Sequence, residues 1–263
     1  MMKIAIPKER RENEKRVAAS PDTVKKFVGL GADVVIETGA GLTSSFSDEN
    51  YTEAGASIAA DEAAALKDAD IVLKVQRPLT DAEGGPDELA LLKSGATLIA
   101  QLAPLQNRDQ VSAYAAAGVN AVAMELVPRI SRAQSMDVLS SQSNLSGYKA
   151  VLDATAVYGK ALPMMMTAAG TIAPAKAFIM GVGVAGLQAI ATARRLGAIV
   201  TATDVRAATK EQVESLGAKF VMVETEETGE DAGGYAKEMS DDYKKRQAEL
   251  VFEHIKKQDI VIT

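Results

Sequence analysis

Three glycines at Gly181, Gly183 and Gly186 are spaced for phosphate chemistry. In Gly181-Val182-Gly183-Val184-Ala185-Gly186 the first glycine allows a tight turn. The second lets a phosphate approach the backbone, and the third lets a helix pack closely on a strand. The flanking pattern supplies what such a loop needs. A strand (Lys176–Met180) precedes it, a helix (Ala185–Leu196) starts within it, and a second strand (Ile199–Asp204) ends on an acid. A pyrophosphate would rest on the free N–H groups of the helix start. Asp204 would accept hydrogen bonds from an adenosine ribose and repel a 2′-phosphate, which favours NAD(H) over NADP(H). Arg206 works against that preference, because a nearby arginine can hold the same phosphate.

A second polar cluster lies at Arg129, Arg132, Gln134, Asp137, Ser140, Ser141, Gln142, Ser143 and Asn144, where the alternation of elements breaks. Arg129 and Asp137 could pair, and Gln134 could bond a carboxamide. A solvated loop between domains is an equal reading of the same residues.

The elements that must position these groups alternate almost throughout. Strands are expected at 3–6, 33–37, 56–58, 71–75, 97–100 and 121–124, with helices at 23–30, 60–67, 86–92 and 108–117 between them. Ser20-Pro21 reads as a helix cap followed by proline at the first helical position. A long helix is expected over 145–161, then a connector rich in small residues. A second alternating run follows from Lys176, with a helix at 209–216, a strand at 219–223, an acidic loop at 224–234, a helix at 236–257 and a strand from Asp259. The fold class is therefore α/β. Two Rossmann-like parallel-sheet domains are expected, with helices on both faces, over residues 1–143 and 144–263. Only four strands follow the connector, so the second domain reads as truncated.

Composition limits the chemistry. The 263 residues carry 29 Lys and Arg against 35 Asp and Glu, a formal charge of −6, which argues against a nucleic-acid platform. There is no cysteine, so thiolate catalysis and disulfides are excluded. The single histidine, His254, cannot build a histidine metal site, and no metal is expected. No signal peptide or membrane-spanning run is read, so a cytoplasmic location is the expectation.

Several segments together carry a family resemblance. Ile4-Ala5-Ile6-Pro7-Lys8-Glu9, Arg16-Val17-Ala18 with Pro21, Glu37-Thr38-Gly39-Ala40-Gly41, Ala54-Gly55-Ala56 and Lys74-Val75 resemble alanine dehydrogenases and proton-translocating nicotinamide nucleotide transhydrogenases. The runs Pro128–Asn144, Pro163–Gly170 and Gly181–Gly186 resemble the transhydrogenase α-subunit, in its NAD(H)-binding domain. The alternative is an alanine-type NAD-dependent amino-acid dehydrogenase. In those enzymes a histidine acts as acid and base where this chain has Gln101, and glutamine exchanges no proton near neutral pH. Lys74 and Arg16 persist, as working residues or as scaffold.

The resemblance implies a set of roles. Arg129, Gln134, Asp137 and Ser140 would surround the nicotinamide and act in the hydride step. The NAD(H) set would comprise those four residues, Gly181-Val182-Gly183-Val184-Ala185, Asp204-Val205-Arg206, and Gly234 with Tyr235 on a mobile loop. Hydride would pass directly to or from NADP(H) on a partner domain, which requires the two rings about 3–3.5 Å apart and no acid or base. Coupled proton translocation would belong to a membrane domain. A homodimer, peripheral to the inner membrane through partner subunits, is implied. The family's domain is longer than this chain, and by that resemblance the isolated 263 residues would bind NADH weakly.

Overall fold

A computed structural model describes residues 1–128, 130–223 and 238–263. The chain divides into two compact units, Met1–Asp137 and Val138–Thr263.

In the first unit, β1 (Lys3–Ile6) leads to α1 (Pro21–Gly29), where the Ser20 hydroxyl accepts the Thr23 N–H and proline occupies the first turn. Then come β2 (Asp33–Glu37), α2 (Asp48–Glu53), β3 (Ser57–Ala59), α3 (Glu62–Leu66), β4 (Ile71–Gln76), β5 (Thr97–Gln101), α4 (Arg108–Ala116) and β6 (Asn120–Ala123). The strands form one parallel sheet in the order β3-β2-β1-β4-β5-β6. Strand periodicity sorts the core into two layers. Ile4, Ile6, Val34 and Ile36 pack with Val24 of α1 and Tyr51 of α2. On the opposite face, Ala5 packs with Leu66 of α3 and Tyr114 of α4, and Val35 with Ala65 of α3. Burying one such large apolar side chain stabilises the unit by roughly 1.5–3 kcal/mol.

The second unit opens on α5 (Val138–Val157), continues through the antiparallel hairpin β7 (Met165–Thr167) and β8 (Gly170–Ile172), and then resumes alternation. It runs β9 (Lys176–Met180), α6 (Val184–Arg195), β10 (Ile199–Thr203), α7 (Thr209–Ser215), β11 (Lys219–Phe220), α8 (Asp241–Ile255) and β12 (Ile260–Ile262). The sheet is parallel, ordered β11-β10-β9-β12. Ala177 and Ile179 of β9 face Val151 of α5, Ala189 of α6 and Val213 of α7. Phe178 faces the other way and meets the His254 ring of α8 edge-on at 4.7 Å. Both units are thus doubly wound α/β layers, as the alternation predicts.

Several boundaries differ from expectation. α5 starts at Val138, not Leu145, so the units divide between 137 and 138 and not at 143/144. The helix expected over 86–92 is a single 3₁₀ turn, Leu89–Leu91. The connector contains the hairpin, and α2 is an added element with a Ser47/Asn50 capping box.

Candidate functional site

In both units the sheet order reverses beside the first strand of the unit, between β1 and β4 and between β9 and β12. In open α/β sheets the crevice beyond the carboxyl ends of the strands at such a reversal is where ligands bind. The two crevices are built very differently.

At the second reversal, β9 ends in Gly181 at φ +92°, a left-handed conformation that glycine adopts without strain. The Gly181 N–H still donates to Thr203 O at 2.9 Å, so the turn stays tied to β10. Gly183 caps α6 without a side chain, so among the described residues the first N–H groups of that helix have no capping side-chain acceptor. An anion fits there, on the positive end of a helix of 12 residues. Gly186 is a packing requirement, since a Cβ on it would lie 1.9 Å from Gly181 O. Gly147 of α5 has the same role from outside the loop, where a Cβ would lie 2.0 Å from Ala185 O. Sequence reasoning missed Gly147; its place in a long helix without apolar periodicity gave no signal.

Asp204 follows β10 and is buried. Its Oδ2 accepts the Val182 N–H at 2.7 Å, and its Oδ1 accepts the Arg206 N–H at 2.9 Å. The Arg206 guanidinium adds Nε to Oδ1 and Nη2 to Oδ2, each at 2.9 Å. Burial pushes the Asp204 carboxyl up, but the Arg206 and Val182 hydrogen bonds outweigh it and hold the group below the ordinary aspartate value. Arg206 Nη2 also reaches Val182 O at 3.2 Å, and the Thr209 hydroxyl donates to Arg206 O at 2.8 Å. The structure therefore brings Gly181–Ala185, Asp204 and Arg206 to one edge of the second sheet. Val205 lies between the last two.

The remaining expected residues are distributed. Gln134 is exposed in the 3₁₀ turn Ser131–Met136 and its carbonyl accepts the Asp137 N–H at 3.2 Å. Asp137 ends the first unit, half-buried, and Ser140 is half-buried in the first turn of α5. Arg129, Gly234 and Tyr235 lie outside the described residues.

At the first reversal the crevice holds paired charge. Lys74 Nζ on β4 donates to Glu88 Oε1 at 2.9 Å and lies 3.5 Å from Glu9 Oε2, with all three side chains buried. Glu9, just beyond β1, accepts the Val75 N–H at 2.6 Å and the Gln76 N–H at 3.4 Å. Arg16 is chelated by Glu14 through Nε at 2.8 Å and Nη2 at 2.6 Å. Gln101 is the last residue of β5, paired in register with Gln76. Lys74 and Arg16 therefore already have carboxylate partners. Among the described residues no group of His, Cys, Asp or Glu is arranged to hold a metal, and no helix is long and apolar enough to cross a membrane.

Residues 5–146 match the family description "Alanine dehydrogenase/PNT, N-terminal domain", and residues 150–263 match "Alanine dehydrogenase/PNT, C-terminal domain". An NAD(P) transhydrogenase subunit alpha of Rhodospirillum rubrum is 61% identical over the whole chain, which spans 68% of that relative. The crystal structure of transhydrogenase from Sinorhizobium meliloti superposes with a TM-score of 0.88 at 55% identity, over 98% of this chain and 68% of the other. Alanine dehydrogenase of Bacillus subtilis is more distant, 33% identical over 82% of this chain and 55% of its own length. The chain belongs to the alanine dehydrogenase/PNT family of oxidoreductases, among its NAD(P) transhydrogenase α-subunits.

Proposed function

We propose that this chain is the NAD(H)-binding component of a proton-translocating transhydrogenase. The observation that carries the reading is the contrast between the two crevices. One offers uncapped helix N–H groups beside an ionised acid, and the other is filled by paired charge. The first suits a dinucleotide, because the N–H groups take a pyrophosphate and Asp204 takes a ribose.

When bound, NAD(H) supplies the hydride donor or acceptor, so that NADH is oxidised to NAD⁺ as NADP⁺ on a partner domain is reduced to NADPH. The residues of this chain bind and orient. The Val184 and Ala185 N–H groups hold the pyrophosphate, and Asp204 holds the adenosine ribose. Gln134 and Asp137 orient the carboxamide and ring, Ser140 supports them, and Arg129 holds the amide or a phosphate. Gly234 and Tyr235 contribute to a loop closing over the nucleotide. No side chain is required to exchange a proton, which agrees with glutamine at position 101.

The partners are an NADP(H)-binding domain and a membrane domain, which places this chain on the cytoplasmic face of the inner membrane and couples hydride transfer to proton movement through domain contacts. A homodimer belongs to the same reading. The hairpin β7–β8 supports it, because Met165 pairs with Ile172 across the strands, and both of them, with Met164 and Met166, are about half or more exposed apolar side chains.

The test mixes the complete chain with the NADP(H)-binding partner domain and follows cyclic reduction of an NAD analogue by NADH through bound NADP(H). A rate well above that of either protein alone is expected. A rate equal to background would overturn the reading.

A further inference from the structure

The charged crevice of the first unit contains more acid than base. Glu9, Glu37, Glu62 and Glu88, all buried, face Arg10 and Lys74, and the Glu14–Arg16 pair beside them adds one charge of each sign, so carboxyl groups outnumber cations by two. Such an excess of negative charge is strongly unfavourable away from water, and a buried carboxyl group responds by keeping its proton.

The donors around each oxygen show where that proton resides. Glu9 accepts two backbone N–H groups and faces Lys74. Glu37 accepts the Lys8 N–H at 2.8 Å and Arg10 through Nη1 at 3.1 Å and Nη2 at 2.6 Å. Glu88 accepts Lys74 at one oxygen and the Leu79 N–H at the other. Glu37 and Glu88 are surrounded by donors, and Glu9 has donors too, although burial outweighs them and raises its carboxyl. Glu62 is not so surrounded. Its Oε2 lies 3.3 Å from Arg10 Nε, while Oε1 is fully buried and meets no donor. The Glu88 carboxylate is close enough to act on it, and a hydrogen bond between two carboxyl groups would require a proton on one of them.

We propose that Glu62 and Glu88 form a buried carboxyl–carboxylate pair that keeps one proton on Glu62 at neutral pH, and that losing this proton frees the 79–91 segment from α3 and the sheet. The segment depends on Glu88, which joins the Leu79 N–H to Lys74 of β4 and to Glu62 of α3. Ionising Glu62 would place two carboxylates in contact while Arg10 is already committed to Glu37. Separation of the pair is the available relief.

The titration has the matching sign. Burial and the Glu88 carboxylate push Glu62 up to about 8, while Arg10 and Lys74 pull it down. Burial also opposes ionisation of Glu88, but Lys74 and the Glu62 hydrogen bond hold that group below the ordinary value. A carboxyl raised on folding contributes stability that is fully present below its unfolded value and lost as pH rises through its folded value.

Infrared difference spectra and thermal unfolding of the full chain test the pair. At neutral pH the wild type should show a protonated carboxylic-acid band that Glu62→Gln lacks. The wild-type melting temperature should fall relative to that of Glu62→Gln between about pH 5 and pH 8, because a glutamine amide donates to Glu88 at every pH. Subtracting the two profiles removes the contributions common to both, that of Glu9, which burial raises, and the opposite one of His254. Protection of the Leu79 N–H against hydrogen exchange should be lost with rising pH in the wild type only. Should Glu62→Gln fold poorly, Glu88→Gln tests the same pair, since removing the Glu88 carboxylate leaves burial as the one remaining cause that raises Glu62, and the band should titrate away at a lower pH than in the wild type. Absence of the band in the wild type, its persistence in Glu62→Gln, an unchanged midpoint of the band in Glu88→Gln, or parallel melting profiles would overturn the proposal.

Discussion

Arg206 closes over Asp204 with two side-chain hydrogen bonds, one to each carboxylate oxygen, and Val182 and the Arg206 backbone supply one more donor to each. Each oxygen thus accepts two bonds, which fills its usual capacity. A ribose hydroxyl can reach Asp204 only by displacing one of these donors. The backbone donors are fixed by the loop, so the guanidinium is the group that moves.

Removing the acid should therefore damage binding directly. Asp204→Ala should weaken NADH binding about tenfold or more, since hydrogen bonds to a charged group contribute about 1.5–3 kcal/mol and 1.4 kcal/mol is a factor of ten. Preference for NADH over NADPH should narrow in parallel, because the charge that repels a 2′-phosphate is lost. Fluorescence titration with both nucleotides measures this, and unchanged affinity for both would show that Asp204 does not read the ribose.

Arg206→Ala should act differently. It leaves both backbone donors to Asp204 and frees a lone pair on each oxygen, so NADH binding should hold or strengthen by a few-fold. NADPH binding should weaken, because the displaced guanidinium is the cation beside any 2′-phosphate. Parallel titrations that show NADH weakened as severely as by Asp204→Ala would mean that Arg206 itself holds the ribose.

The glycine turn after β9, its packing on α6 and the alternating strands were legible in the sequence because each follows from a local rule: glycine where φ is positive or packing is tight, and periodicity where one face is buried. Lys74 shows the opposite case. Its meaning rests on Glu9 and Glu88, which the topology of β1 and β4 brings to it from distant sequence positions. α5 begins before any apolar period is visible, since Val138–Ser146 contributes no fully buried residue. The hairpin strands are exposed on both faces and so show no alternation to read. The 86–92 segment has the composition of a helix, but only Leu89–Leu91 winds into a turn, and Glu88 is drawn to Lys74.

Close backbone approach at Gly147 gives a packing prediction. A Cβ there would meet the Ala185 carbonyl at 2.0 Å, so α5 or the start of α6 must shift. Gly147→Ala should lower stability by about 1–3 kcal/mol, the usual range for overpacking, although alanine favours a helix over glycine. Because Ala185 belongs to the glycine loop proposed to hold the pyrophosphate, NADH affinity should fall in the fraction that remains folded. Denaturant unfolding and titration at a temperature well below the melting point separate the two effects. An unchanged midpoint would show that the helices part without cost.

Acid pH should expose a surface network in the first unit. Arg77 and Arg11 hold the Glu83 carboxyl down to about 2, through hydrogen bonds at 2.7–3.1 Å, against a small opposing effect of burial. A depressed carboxyl contributes stability that is present above its unfolded value near 4.5 and lost as pH falls toward 2. Solvent screening reduces that contribution to about 1 kcal/mol. Glu83→Gln should therefore lower the melting temperature at neutral pH, with the difference shrinking as the pH falls from about 4.5 to about 2. A difference that stays constant with pH would assign the loss to packing.

The last prediction bears on the amino-acid dehydrogenase alternative. By the family resemblance Gln101 stands where a proton-exchanging histidine would be needed, so Gln101→His would supply the missing acid–base group. It does not supply a free cation for a substrate carboxylate. Lys74 is neutralised by Glu9 and Glu88, and Arg16 is bound by Glu14, whose carboxyl Arg16 holds down to about 2. Breaking the buried Lys74 pairs to admit a substrate would leave uncompensated charge at a cost of about 3–5 kcal/mol. Gln101→His should therefore produce no NADH from L-alanine and NAD⁺ above the wild-type background, measured by absorbance at alkaline pH where such an oxidation is favoured. Turnover by the variant would show that Lys74 can exchange its carboxylate partners for a substrate, and that one substitution separates the two activities.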